Sequence, residues 1–352
     1  MLKTLLLTCF IVLFSNAVSA TTLEDIKPHS PTKKPWSEQW FYYLNDPAMG
    51  YFKISLQTYI MPDSPTLKEK GYVHVVYAPK EGKMQVYDYF FDEVMTQSSG
   101  SGSTAFHYSI PGKVDANDKQ ITLTLPDFNF SMQFISNHKH YWSGRNPGQT
   151  PYGFITDIPF VGGKWFIFTM GTSVQYSYSD NDESYGGYGT VYLDKGWYTK
   201  EDSPSFMYIL GINDKQQLMM TGAAAGSIPI ELWAGRYLSQ QSDITLYPAI
   251  AGLSMKRTLD ACKGELHIEF NKLTKKITVD AKANINDFYI SRMPSMLVLG
   301  GDQPIMKSMK ATLDVNVYEF GQLTEQVNFP QGVLEFGGNV FCDDILSEPN
   351  PQ

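Results

Sequence analysis

The chain has 352 residues, 18% of them charged, with 36 acidic side chains against 28 Lys and Arg and a formal net charge of −8. That acidic balance, without a basic cluster, argues against nucleic acid and anionic membrane surfaces as partners. With 22 Tyr, 21 Phe and 28 Gly but few long helical periodicities, the composition favours strands and tight turns over a helical bundle.

In chain order, residues 1–20 read as a secretory signal peptide. Lys3 precedes a nearly continuous apolar run from Leu5 to Phe14, and "SNAVSA" puts Val18 and Ala20 at the cleavage positions. The run is too short to span a bilayer comfortably, and no second long run follows. Cys9 sits inside it behind Thr8, which argues against a lipoprotein anchor. The expectation is an exported protein, periplasmic or extracellular, with no integral membrane segment after signal removal. Residues 21–35, "TTLEDIKPHSPTKKP", carry three prolines and read as a linker or loose arm.

Strand signals begin at "EQWFYYLND" and continue through "YFKISLQTYIM", "GYVHVVYAP" and "KMQVYDYFF". These short aromatic and β-branched runs, separated by turn chemistry at regular spacing, predict an antiparallel sandwich or barrel. "SSGSGST", residues 98–104, is a polar loop, and "KQITLTLPDFNFSMQFIS" gives two strands around Pro126. "GKWFIFTMGTSVQYSYS" and "YGTVYLDKG" form a pair joined by the acidic tip "DNDES". "SFMYILGIND" and "QQLMMTGAAAG" read as a hairpin, with a domain boundary near residue 214. Alternation is clear about "NKLTKK", and "MKATLDVNVYEF" and "GVLEFGGNVFC" close the chain. The expected organisation is one domain over 36–213 and a second, of similar kind, over 214–346.

After Cys9 is removed with the signal, Cys262 and Cys342 remain. An even count in an exported chain favours one disulfide over two buried thiols. Closing a loop of that length would contribute roughly 4 kcal/mol in the chain-entropy model.

Within "GYGTVYLDKGW", alternation puts Tyr192 and Asp194 on one strand face and Val191 and Leu193 on the other. "SEQWFYY", then "IPFVGGKWFIFTMGTSVQYS", "GYGTVYLDKGW", "SFMYILGIND" and "LMMTG" occur in one order. This order resembles the hydroxyneurosporene synthase (carotenoid 1,2-hydratase) and AttH-like family, over roughly residues 36 to 225. The resemblance implies an all-β fold of two tandem lipocalin-like (calycin) antiparallel β-barrels and a hydrophobic cavity, with chemistry near the domain interface. It implies a Tyr-x-Asp strand at Tyr192 and Asp194 for hydration of an isoprenoid double bond. Trp165 matches a family Trp, but Gly163 stands where the family has His, and the "E-x-W" opening is Glu38 and Trp40.

An Asp in an aromatic pocket keeps its proton because burial disfavours the charged form, so Asp194 can act as an acid near neutrality. Tyr192, Trp165 and Trp40 are suitable types to stabilise a cation through their ring faces, and Trp197 ends the Gly-rich stretch "GGYGTVYLDKGW". The plain alternative puts Asp194 on a solvated face, paired with Lys195 or Lys200. Glu38 reads as a second acid or as a buried hydrogen-bond acceptor. His138 and His140 share a strand face, but no third metal ligand is identifiable, and they read as a surface strand end. His74 and His267 read as packed or solvent-facing. No metal and no cofactor is expected.

The preferred function is binding of a small hydrophobic ligand, isoprenoid or lipid, with acid-assisted hydration or isomerisation through Asp194. The alternatives are a non-catalytic carrier and a secreted carbohydrate-binding or adhesion module using aromatic patches. Oligomeric state and ligand identity stay open.

Overall fold

The computed structural model describes residues 26–98, 105–141, 151, 163–180, 184–199, 205–224, 231–250, 254–291 and 304–342. The expected signal peptide and residues 99–104 of the polar loop lie outside them.

The first eleven strands are β1 (Trp36–Asp46), β2 (Gly50–Ile60), β3 (Lys70–Pro79), β4 (Gln85–Phe91), β5 (Met95–Ser98), β6 (Phe106–Ile110), β7 (Val114–Asn117), β8 (Gln120–Thr124), β9 (Phe128–Phe134), β10 (Gly163–Asp180) and β11 (Ser184–Tyr198). They form one antiparallel sheet in the order β4-β3-β2-β1-β11-β10-β9-β8-β7-β6-β5. Its two end strands, β4 and β5, are consecutive in the chain. An ordered meander that begins and ends on sequence neighbours is a sheet curled towards a barrel.

The remaining strands are β12 (Ser205–Ile212), β13 (Gln217–Ala224), β14 (Glu231–Leu238), β15 (Asp243–Ile250), β16 (Met255–Asp260), β17 (Glu265–Lys272), β18 (Lys275–Lys282), β19 (Tyr289–Ser291), β20 (Ile305–Glu319) and β21 (Gln322–Gly338). They form the second sheet, β15-β14-β13-β12-β21-β20-β18-β17-β16, with β19 pairing β20. Its ends, β15 and β16, are again neighbours in the chain. The fold is therefore all-β, with two large curled antiparallel sheets of the lipocalin-like barrel type.

Alternation explains most strands. In β17, Leu266, Ile268 and Phe270 are buried while the residues between them are not, and β9 behaves alike through Phe128, Phe130 and Met132. The interior of the first barrel is packed with rings: Phe52 lies 4.4 Å from Tyr77 and 5.5 Å from both Phe130 and Tyr178. A separate apolar core, including Trp233, Phe270, Phe329 and Phe336, fills the second. Strands β1 and β2 depart from the alternating rule, since nearly every residue in them is buried. Their second face is covered by a third cluster, drawn from both sheets, with Tyr43, Tyr51, Ile167 and Tyr192 from one and Tyr208, Leu210, Met219 and Val333 from the other.

Two expectations change. The division expected at 213/214 falls in the β12–β13 turn, where Asn213 N–H donates to Gln216 O at 2.9 Å. The change of sheet comes earlier, between Tyr198 and Ser205, because β12 pairs with the C-terminal strand β21. The arm is also not loose from Ile26 onward. Ile26 is fully buried in the first core, and its carbonyl accepts from Trp40 Nε1. Among the described residues no helix is long and apolar enough to cross a membrane.

Cys262, in the short 3-10 turn after β16, is joined to Cys342, which is buried in the second core, across a Cα–Cα distance of 5.1 Å. The bond ties the segment after β21 to the β16–β17 connection. Reduction should raise the intact mass by about two hydrogens. It should also lower stability to denaturant by roughly 4 kcal/mol. Labelling of both thiols in the native, unreduced protein would show that the bond does not form.

Candidate functional site

The alternation of β11 sends consecutive residues to two different cores. Val191 and Leu193 join the interior of the first barrel, and Tyr192 joins the cluster between the sheets. Asp194 shares the face of Tyr192 and is 4% exposed. Cross-strand register extends its row over the outer face of the first sheet: Asp194 opposes Phe41, then come Ser55, His74 and Asp88. The neighbouring row is Tyr192, Tyr43 and Lys53. The second sheet answers with its own row, Tyr208, Glu335, Lys307 and Tyr289.

The two faces are joined by specific contacts. Tyr43 stacks on Tyr208 at 6.3 Å between ring centroids, and His74 lies 5.9 Å from the ring of Tyr289. Lys307 Nζ donates to the Tyr43 hydroxyl at 3.3 Å and pairs with Glu335 at 2.6 Å. At the edge of the layer, Asn45 Nδ2 donates to Ile212 O at 2.6 Å, and Ile212 N–H donates to the Tyr51 hydroxyl at 3.1 Å. A bulge in β10 places Gly171 at φ +89°, where an added Cβ would lie 2.6 Å from the Gln217 side chain of the second sheet. Only a residue without a side chain fits there without strain.

The Tyr192 hydroxyl donates to Asp194 Oδ2 at 2.8 Å, while Asp194 Oδ1 has no hydrogen-bond partner. Burial pushes the Asp194 carboxyl up to about 7, against the smaller opposing pull of Tyr192, Trp165 and Lys307. His74 is fully buried, and its Nδ1 lies 2.8 Å from Asp88 Oδ1. Desolvation, followed by the charge of Lys53, lowers His74 to about 4. Burial would raise Asp88, but its bonds to His74 and Tyr72 hold it below the usual carboxylate range. An ionised Asp88 has no proton to give, so His74 Nδ1–H is the donor. Its Nε2 is then a buried acceptor, and it has no partner. Lys53 Nζ is likewise buried and without a hydrogen-bond partner, 5.4 Å from the Phe41 ring centroid. Desolvation and the adjacent Lys307 drive its ammonium well below the normal range. The layer thus favours the uncharged forms of an acid and of two bases together.

The expected site residues divide between the two faces. Asp194, Tyr192 and half-buried Trp165 belong to the layer between the sheets. Trp40, Glu38 and Trp197 lie on the opposite face of β1 and β11 and contact the arm. Trp40 stacks on Phe106 at 5.4 Å and donates from Nε1 to Ile26 O at 2.9 Å. Fully buried Glu38 pairs with Lys195 at 2.7 Å and accepts the His29 backbone N–H at 3.1 Å on each oxygen. Trp197 stacks on His29 at 4.1 Å. Glu38 accepts from the arm, and Lys195 is paired with it. Added Cβ atoms at Gly186, Gly187 and Gly189 would meet Tyr176 O, Asp46 Oδ2 and Leu44 Cδ1, so these glycines allow close packing within the first sheet.

Sequence reasoning passed over Lys53, Tyr43, Tyr208, Lys307 and Glu335. The available signal was a lone Lys inside the otherwise uncharged run "YFKISLQTYI", but a lone charge in an alternating strand usually marks the solvent face. His138 and His140 both stand edge-on to Phe168, and among the described residues no group of three His, Cys, Asp or Glu could hold a metal ion. Two surface clefts, one around Tyr59–Pro65 and one on β8, β9 and β10, are not lined by Asp194.

No family model matches the chain, and no curated protein matches it in sequence. Solved structures do share its fold. An AttH-like protein of Nitrosomonas europaea aligns with a TM-score of 0.52 at 11% identity, over 90% of this chain and 95% of that one. CghA aligns with a TM-score of 0.57 at 9% identity, over 86% and 88%. Kievitone hydratase from Nectria haematococca aligns with a TM-score of 0.53 at 8% identity, over 92% and 95%.

The carboxyl of Asp194 leads to a stability experiment. A folded-state value raised from 3.8 to about 7 means that the unfolded chain releases this proton first. Asp194 therefore costs nothing below about pH 4; its cost grows as pH rises from about 4 to about 7 and levels off at ~4 kcal/mol above that. Asp194→Asn should be as stable as wild type near pH 4 and more stable by up to ~4 kcal/mol at pH 8. Urea unfolding of both proteins across that range measures the difference. Equal stability at pH 8 would show that Asp194 is ionised at little cost.

Proposed function

We propose that this protein binds a small hydrophobic ligand in the layer between its two barrels, and that Asp194 protonates it. The carrying observation is a carboxyl buried between two sheets, with one oxygen fixed by Tyr192 and the other unpartnered. Its raised affinity for protons keeps a transferable proton in a dry site around neutral pH. The first barrel's interior is occupied by its own rings, which leaves the interdomain layer as the better place for a ligand.

In this reading Asp194 delivers its proton to a carbon–carbon double bond. The cation that forms lies among the faces of Tyr43, Tyr192, Tyr208 and Trp165, which attract positive charge through their quadrupoles. Addition of water gives hydration, and loss of a neighbouring proton gives isomerisation. The fold shared with a hydratase supports the reaction class, as does the match of Tyr192 and Asp194 to a Tyr-x-Asp strand. The Cys262–Cys342 bond supports an oxidising compartment, consistent with export to the periplasm or beyond.

A second reading, a carrier with the same site and no turnover, is favoured by one observation. Gly163 opens β10 where the family has His, so that position offers no side chain for chemistry.

Asp194→Asn decides between them. With a linear isoprenoid bearing a terminal trisubstituted double bond, wild type should give a hydrated or isomerised product, at a rate that falls as pH rises through about 7. Asp194→Asn should keep binding and lose turnover by a factor of ~10²–10⁴. A wild type that binds the isoprenoid and returns it unchanged is a carrier.

A further inference from the structure

Lys53 lies in the middle of β2, a strand buried along its whole length. Its side chain is fully buried, and Nζ has no hydrogen-bond partner. Buried polar atoms are nearly always bonded, and an ammonium taken from water needs a counter-charge. The carboxylates of the layer are already committed. Glu335 is matched by Lys307 at 2.6 Å. Asp88, at the solvent edge, gives Oδ1 to His74 and to the Tyr72 hydroxyl. Asp194 Oδ2 is taken by the Tyr192 hydroxyl at 2.8 Å. Lys307 thus has its carboxylate, and Lys53 is the amine of the layer left without a bond.

We propose that the ligand of this layer is an apolar carboxylic acid and that Lys53 receives its carboxylate. On binding, the acid's proton passes to the Lys53 amine, and the resulting ammonium and carboxylate pair in a dry setting, where such pairs are strong. Tyr289, whose buried hydroxyl also lacks a partner, lies opposite Lys307 on the facing sheet and offers a further donor to the layer. Lys53 and Asp194 are two strands and one row apart in register, roughly 12 Å between Cα atoms from ordinary strand spacing. The proposal thus gives the ligand an orientation, with the acid end at Lys53 and the apolar body running towards Asp194. It rests on the reading of the interdomain layer as the ligand site, and it adds the chemical class of the ligand.

The test uses the full chain and two probes of equal length, palmitate and methyl palmitate, each displacing Nile red at pH 7. Palmitate should bind at one per chain and at least tenfold more tightly than the ester. Lys53→Met should remove that preference by weakening palmitate to the level of the ester, with ester binding retained. Equal affinity of acid and ester for wild type would overturn the proposal while leaving an apolar site in place. Binding of neither probe to the folded protein would overturn both the proposal and the site reading. The wild-type comparison stands even if Lys53→Met does not fold.

Discussion

Strands β1 and β2 are buried on both faces, and the rest of the structure follows from that constraint. An antiparallel sheet commonly leaves one face to water. Here the outer face of the first sheet is covered by the second, so polar side chains on it must be paired, neutralised or left for a ligand. Lys307 and Glu335 take the first course. A buried ion pair is a weak source of stability, because desolvation offsets much of the attraction. Its more evident role is positional: it reaches across to the Tyr43 hydroxyl and fixes the two barrels in one register.

The other groups take the second course. Asp194 is pushed up, whereas His74 and Lys53 are pushed down. All three shifts have burial as their largest cause, and burial favours the uncharged form of an acid and of a base alike. Their linkage to stability has opposite signs. Asp194 costs stability as pH rises from its ordinary value of 3.8 towards 7, and the depressed His74 costs stability as pH falls from its ordinary value of 6.5 towards 4. An acid holding its proton and bases lacking theirs in one dry layer are the conditions for proton transfer at neutral pH.

The opposite face of β1 and β11 carries a second buried polar centre of a different kind. Lys195, next in sequence to Asp194, points into the first barrel and pairs with Glu38, while the arm adds Ile26 and His29. That centre is closed: Glu38 is fully bonded, and Lys195 also reaches the Lys27 carbonyl. The layer between the sheets instead leaves Asp194 Oδ1, Lys53 Nζ and His74 Nε2 unsatisfied. The two centres are alike in burial and differ in that contrast.

Local pattern was enough for the all-β class, most strand positions, the pairing of Cys262 with Cys342 and the separation of Tyr192 and Asp194 from Val191 and Leu193. Period-two alternation and turn chemistry act between near neighbours, and two cysteines allow one bond. The short strands β5 to β7 and the strands β14 to β16 escaped that reading. Pattern alone could not say what lies on each side of a strand. It grouped Trp40, Glu38 and Trp197 with Asp194, although they face the opposite way, and it gave no notice of Lys53, Lys307 or Glu335. Those residues come from strands more than two hundred positions apart, and a lone charge in an alternating strand reads as solvated until a second sheet covers it. Tertiary packing alone removed the water from that face, and with the water gone the same side chains became an acid, two bases and an ion pair.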